Sequence, residues 1–452
     1  VIPRELKNPF VLIASIFFYA WGAPVFVFIV LGSIVADFFI VQWMSKAKGR
    51  YKGWLLLASL VLNIGLLAYF KYANFFVDNL NKVLLQVGME SVHWVKIALP
   101  IGISFFTFQK ITYAVDVYRR VHGPLSRVTD YAMYILMFPQ LVAGPIVRYN
   151  EIADQITDRS KDENINNRLT GFFRFVIGLS KKVLIANVLG EQVDEIFSLG
   201  GDQISSMTAW IGVIAYSFQI YFDFSGYSDM AIGIGRMIGF RFPENFNNPY
   251  ISQSISEFWR RWHITLGRFM KHYLYIPLGG NRVATWQIYL NLWIVFFISG
   301  LWHGAAWNFV IWGIFHGVFL IADRVFLLKI YQTIGKVPSI IITYFIVLVS
   351  WVFFRAETLP EAAAYLEKMF AFSGGNEGYY FDSKFITIMV IAIFFSFWGG
   401  FNFIEKWQER LFARNQNNRR IILMSIFSII FFLISLSAIT SSGFNPFIYF
   451  RF

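Results

Sequence analysis

The sequence predicts an all-α, polytopic integral membrane protein, and three observations carry that expectation. Of the 452 residues 57% are hydrophobic, 20% aromatic and only 15% charged, against about 45–50% apolar and about 25% charged in soluble domains. The apolar residues come in runs of roughly 17–25, enough to cross a bilayer. Short basic loops alternate with acidic ones, as the positive-inside rule requires. The net charge of +12 sits in those basic loops, so it points to a membrane surface, and no nucleic acid partner is expected. There is no cysteine, which excludes thiolate chemistry, disulfides and Cys-based metal sites.

Residues 10–20 and 25–43 are apolar runs parted around Gly22 and Pro24, where proline removes a backbone donor. Lys46, Lys48, Arg50 and Lys52 follow in one short loop, expected in the cytoplasm. Residues 54–70 cross outward, 71–96 form a mixed outer segment, and 97–117 return to Arg119, Arg120 and Arg127. Residues 131–147 are apolar but interrupted at Pro139 and at Gly144-Pro145. With basic residues on both sides, they read as a re-entrant segment, a broken helix tolerated where protein covers the backbone. Residues 172–189 cross to a loop bearing Glu191, Asp194, Glu195 and Asp202, and 210–238 come back. Residues 241–285 are basic and aromatic and belong on the cytoplasmic side. Residues 286–319 form a hairpin, or two spans meeting near 300–304. Spans at 340–354, 385–398 and 421–438 finish the chain and leave 441–452 outside. The whole of 1–452 reads as a single transmembrane domain. It opens at Val1-Ile2-Pro3 without a methionine, as if a first helix preceded residue 1.

The chemistry concentrates between residues 216 and 323, which hold His263, His272, His303 and His316, four of the six histidines. Taken as one helix, residues 258–274 put Phe258, Trp262, Leu266, Phe269 and Tyr273 on an apolar stripe. Arg260, Arg261, Arg268, Lys271 and His272 lie opposite, a basic face suited to water and anionic headgroups. Such a face needs no catalysis to explain it. His263 falls at the edge of the apolar side, near Trp259 and Met270. It is either a histidine satisfied at the interface or a polar group aimed into the protein beside a phosphate-binding face. His303 sits between Gly300 and Gly304, a spacing that lets backbones approach closely. An ionisable side chain at membrane depth marks a functional position, and a neutral imidazole there can take a proton from an alcohol in acyl transfer. The structural alternative is a histidine bonding a carbonyl at a helix junction. His316 lies thirteen residues on, too far along a continuous helix to share a metal with His303. No metal site is expected, and His316 is given a packing or supporting role. Asp223 and Asp229 lie in an apolar segment and need cations, for which Arg236 or the cytoplasmic arginines are available. Gly233, Gly235 and Gly239 follow no strand, so they point to helix packing and not to a dinucleotide site.

Residues 138–150 (FPQLVAGPIVRYN), 222–235 (FDFSGYSDMAIGIG), 257–282 (EFWRRWHITLGRFMKHYLYIPLGGNR) and 300–317 (GLWHGAAWNFVIWGIFHG) together resemble the membrane-bound O-acyltransferase family. The likeness is to its bacterial branch that O-acetylates alginate and peptidoglycan, and it extends to the ending PFIYFRF. The resemblance implies a ring of about ten to twelve tilted transmembrane helices with re-entrant and interfacial helices. It implies that His303 matches the family's near-invariant histidine and His263 its second recurrent one. Arg260, Arg261 and Lys271 would then hold the phosphates of the donor, with His316, Trp302 and Asp223 in supporting roles. The donor substrate would be acetyl-coenzyme A or an acyl-carrier thioester, with no bound cofactor. The acceptor would be an extracytoplasmic polysaccharide, reached through a periplasmic or surface SGNH-type O-acetyltransferase partner, across the bacterial inner membrane. Phe447-Ile-Tyr449-Phe-Arg451-Phe452 resembles the terminal motif of the small partner in the related D-alanylation system, which makes Tyr449 an acyl-carrier candidate; an interfacial anchor is the plainer reading. D-alanyl transfer, or a transporter whose histidines only line a path, are the rival functions. A transporter often shows internal repeats, and this chain has none.

Overall fold

A computed structural model describes residues 3–199, 204–372, 379–413, 416–441 and 446–448, the side chains of Arg4 and Asn402 excepted. Asp202 and Tyr449 lie outside the described residues. Among the described residues every regular element is helical. Among them seven helices are long and apolar enough to cross a membrane, so the protein is an all-α, multi-pass membrane protein.

The chain forms two compact units. The first holds residues 1–162 and 239–242. Its helices are α1 (Arg4–Gly22), α2 (Phe26–Lys46), α3 (Arg50–Gln86), α4 (Ile103–Tyr118), α5 (Val128–Leu136) and α6 (Tyr149–Thr157). The mixed outer segment expected from residue 71 is instead helical as far as Gln86. The helix passes Lys71 by widening into a π-turn at Ala68–Tyr72. Between α5 and α6 the chain is broken and buried, as Pro139 and Pro145 require. The unit also buries charge. Asp37 accepts hydrogen bonds from Ser59 Oγ (2.6 Å), Asn63 Nδ2 (2.8 Å) and Tyr131 OH (2.5 Å). Lys110 Nζ, equally buried, donates to Ser33 Oγ at 2.6 Å. Away from water each such group must find a protein partner, and these do.

The second unit holds residues 163–238 and 243–452. Helix α7 (Ile165–Ser180) runs through a π-turn, Lys181–Ala186, into α8 (Asn187–Ser198). Helix α9 (Ser206–Met237) is 32 residues long. It packs backbone to backbone on α7: a Cβ on Gly178 would lie 2.4 Å from the Gly226 oxygen, and one on Gly233 2.5 Å from the Phe175 nitrogen. Gly233 therefore has the packing role the sequence suggests. The α9 carboxylates pair with α7 and its π-turn. Asp229 takes Arg174 and Lys181, at 2.8 and 2.7 Å, and Asp223 takes Lys182 at 2.5 Å. Arg236 donates to the Phe412 oxygen at 3.3 Å. Short helices α10 (Ile255–Arg261) and α11 (Ile264–Met270) precede α12 (Thr285–His303) and α13 (Trp307–Ile334). Of the two readings for residues 286–319, two helices in an antiparallel hairpin is the one found. It closes through Gly300 and Gly313, where a Cβ would lie 2.4 Å from the oxygens of Phe309 and Phe296. Then come α14 (Lys336–Arg355), α15 (Leu359–Phe370), α16 (Ser383–Phe397), α17 (Asn402–Phe412) and α18 (Asn418–Ser441). Helices α7–α8 and α9 are long enough to span as well, but they carry the buried ion pairs.

Candidate active site

The site begins where one helix was expected and two are found. Residues 258–274 carry an unbroken helical pattern, yet the chain breaks at Trp262 and His263, where His263 takes left-handed backbone angles (φ 46°, ψ 52°). That conformation is uncommon for a residue other than glycine. The loop 243–249 over-determines it. Asn247 N donates to the Arg261 oxygen and Ile264 N to the Asn245 oxygen, both at 2.9 Å. The break turns His263 off the predicted helix edge and into the interior, where it is 1% exposed.

Inside, Asn245 fixes the imidazole. Its Oδ1 accepts from Thr265 N (3.2 Å) and Thr265 Oγ1 (2.8 Å), and its Nδ2 donates to Ser228 Oγ (3.0 Å). The amide orientation is thereby set, and Oδ1 faces His263 Nδ1 at 3.1 Å. An acceptor there requires the Nδ1–H tautomer, which leaves Nε2 as a bare lone pair. Nε2 is buried and has no hydrogen-bond partner among the described residues. Burial pushes the His263 pKa down to about 3, so the ring is a neutral acceptor at any physiological pH.

Rings link His263 to the other two histidines. Trp302 lies 6.0 Å from His263 and 4.9 Å from His303, centroid to centroid. His303 is the last residue of α12, set edge-on between Trp312 (4.9 Å) and Phe354 (5.2 Å). Gly304 ends the helix, and a Cβ there would strike the Phe309 ring at 2.1 Å. Trp312 continues to His316 at 5.0 Å, and Trp259 Nε1–H donates to His316 Nδ1 at 3.3 Å. His316 therefore carries its proton on Nε2, the opposite tautomer to His263. The hairpin between α12 and α13 brings His303 and His316 near Trp312 together, which a continuous helix would have kept apart. Among the described residues no group of three or more His, Asp or Glu side chains gathers closely enough to hold a metal ion.

The basic residues divide. Arg260 and Lys271 are exposed. Arg261, expected to face water, is half-buried and paired with Glu257 (2.8 Å) and Glu405 (3.0 Å). It ties α10 to α17. Asp323 in α13 accepts from Ser256 N at 2.7 Å and so holds the start of α10. Asp223 pairs with Lys182 and accepts from Ile448 N, and its neighbour Phe224 meets the His263 ring edge to face at 4.8 Å. A cavity of about 790 Å³ lies elsewhere in the unit, walled by apolar residues of α16 and α18 with Arg410, Gln416 and Arg420 among its lining. None of the three histidines lines it. Asn245, Thr265 and Lys182 escaped the sequence reading. The cue for the first was a run of asparagine and proline, 243–249, in an aromatic segment; for the last, two lysines inside an apolar run.

Fold and sequence together define a multi-pass membrane enzyme with three buried imidazoles in its second unit. The chain belongs to the membrane-bound O-acyltransferase family, whose sequence profile matches residues 13–356, and it is an O-acyltransferase. It is 44% identical over 372 residues to a probable alginate O-acetylase of Pseudomonas aeruginosa, covering 82% of this chain and 71% of that one. It is 40% identical over 411 residues to the peptidoglycan O-acetyltransferase of Helicobacter pylori, covering 83% and 76%. A teichoic acid D-alanyltransferase of Bacillus subtilis is 31% identical over 236 residues, covering 49% and 58%.

Proposed function

We propose that the protein takes an acetyl group from a thioester on the cytoplasmic side of the bacterial inner membrane and passes it toward an extracytoplasmic polysaccharide. The donor is acetyl-coenzyme A or an acyl-carrier thioester, and an SGNH-type partner outside completes the transfer. One observation supports this reading: a neutral imidazole with a bare Nε2, held by Asn245, packs on Trp302, which also packs on His303. A hydroxyl is a weak nucleophile until a base takes its proton, and His303 is that base. His263 accepts a hydrogen bond on the donor side, where exposed Arg260 and Lys271 meet the donor's phosphates. The names of the alginate and peptidoglycan relatives support a polysaccharide acceptor and acetyl as the group. The teichoic acid relative supports D-alanyl transfer as a second reading, over a shorter match.

Tyr449 is the proposed carrier. Its phenol has an unperturbed pKa of about 10, so it needs the base. As His303 takes the phenol proton, the oxygen bonds to the thioester carbonyl carbon. The carbon–sulfur bond then breaks, and the leaving thiolate takes up the proton. The resulting aryl ester is a good donor to a hydroxyl of the partner. Purified protein given acetyl-coenzyme A labelled in the acetyl group tests this. Retention of label on the wild-type chain and none on Tyr449→Phe supports the relay; equal labelling of both contradicts it.

A further inference from the structure

The ion pair between Lys182 and Asp223 is buried, with side chains 7% and 3% exposed, and the acyl-transfer chemistry does not use it. A buried pair of this kind is weak support for stability. What it touches suggests another use. Lys182 Nζ donates to the Pro446 oxygen at 3.0 Å, and Asp223 Oδ2 accepts from Ile448 N at 2.8 Å. Lys182 also lies over the Phe447 ring, 4.8 Å from its centroid. Tyr227, one turn along α9, meets the same ring edge to face at 4.8 Å. Ile448 is 4% exposed.

We infer that Lys182, Asp223 and Tyr227 form a peptide-binding site whose ligand is the aromatic segment Pro446-Phe447-Ile448. The ammonium reads a main-chain carbonyl and the carboxylate a main-chain N–H two residues later. The ring of the intervening residue is held by a cation and by a phenol edge. Main-chain hydrogen bonds supply affinity and side-chain slots specificity, as in other peptide-recognition surfaces. Both bonds are charge-assisted and desolvated, which makes them strong. The local sequence builds the site: the π-turn Lys181–Ala186 is a one-residue expansion of α7, a feature common at functional positions. It sends Lys181 to Asp229 and Lys182 to Asp223. The site deepens the acyl-carrier reading, because Tyr449 is the next residue; its existence does not depend on that reading.

The test reverses the pair and keeps it. Lys182→Asp with Asp223→Lys retains a buried ion pair but sets a carboxylate against the Pro446 carbonyl and an ammonium against the Ile448 N–H. Amide hydrogen exchange is measured on the full-length, detergent-solubilised protein, with the α9 amides reporting that the fold persists. The expected result is a protected Ile448 amide in the wild type that exchanges at least about tenfold faster in the reversed variant, since two charge-assisted bonds are lost. Equal exchange in the two, with α9 protected in both, overturns the site. If the reversed variant does not fold, the single change Tyr227→Ala is used. It removes only the ring contact, and Ile448 exchange unchanged from wild type then overturns the site. Polysaccharide O-acetylation in cells is scored separately. Faster Ile448 exchange with undiminished O-acetylation leaves the peptide site standing and defeats the acyl relay instead.

Discussion

At the residue scale one hydrogen bond acts on the site through another group. Asn245 Oδ1 holds the proton of His263 on Nδ1. Without that acceptor the ring is free to place its proton on Nε2 and lose the lone pair there. Asn245→Ala is therefore expected to lower turnover by about 100-fold, the lower end of the contribution of a positioned acid–base group, with the donor Michaelis constant little changed. A raised Michaelis constant at unchanged turnover would mean that Asn245 serves binding. Stability should also depend on His263. Its folded pKa of about 3 lies below the unfolded value of about 6.5. The unfolded chain then binds more protons between those limits, so the stability is complete above about pH 6.5 and is lost as pH falls toward 3. His263→Gln should melt with a shallower loss over that window than the wild type. The basic residues separate by their partners. Arg260→Ala is expected to raise the donor Michaelis constant, whereas Arg261→Ala, which strands Glu257 and Glu405, should lower the melting temperature. A Michaelis constant raised only in the Arg261 variant would reverse those roles.

At the element scale two devices aim the site. One is the broken helix at His263, pinned by the loop 243–249; the other is the α12–α13 hairpin, closed by Gly300 and Gly313. A third close contact is α7 against α9. Gly178 has the Gly226 oxygen 2.4 Å from where a Cβ would stand, while Gly32 in α2 has nothing within 4 Å. Gly178→Ala should thus cost about 1–3 kcal/mol, the usual penalty of overpacking, and Gly32→Ala almost nothing, as read from thermal melting in detergent. Equal losses would show that α7 and α9 do not rely on this approach.

Across the whole molecule, what the sequence revealed was what periodicity, charge and motifs encode. Membrane class, helix runs and the junction near residues 300–304 were legible, and His263 and His303 stood out as candidates whose roles are proposals. The helical pattern of residues 258–274 concealed its own break, because the cause is a loop that folds back from earlier in the chain. Asn245 was invisible for the same reason: its meaning is the distance to His263. Asp37 and Lys110, charges inside apolar runs, take their meaning only from partners distant in sequence. Lys182 and Asp223 needed the π-turn to meet. Charge asymmetry also makes a prediction at this scale: the loop bearing Lys46, Lys48, Arg50 and Lys52 is cytoplasmic. A Ser45→Cys variant of this cysteine-free chain should resist a membrane-impermeant thiol reagent in intact cells and react after permeabilisation.

The measurement that bears most directly on the central claim is the release of free thiol from acetyl-coenzyme A by the purified protein, compared with His303→Ala. Circular dichroism and melting confirm that the variant is folded. His303, 6% exposed and held by Trp302, Trp312 and Phe354, is the base in this account. The variant should release thiol at a rate reduced by about 10²–10⁴-fold, the contribution of a positioned base. A folded His303→Ala protein that turns over at the wild-type rate would contradict the assignment, and a folded wild-type protein that releases none would favour a transport path over an enzyme.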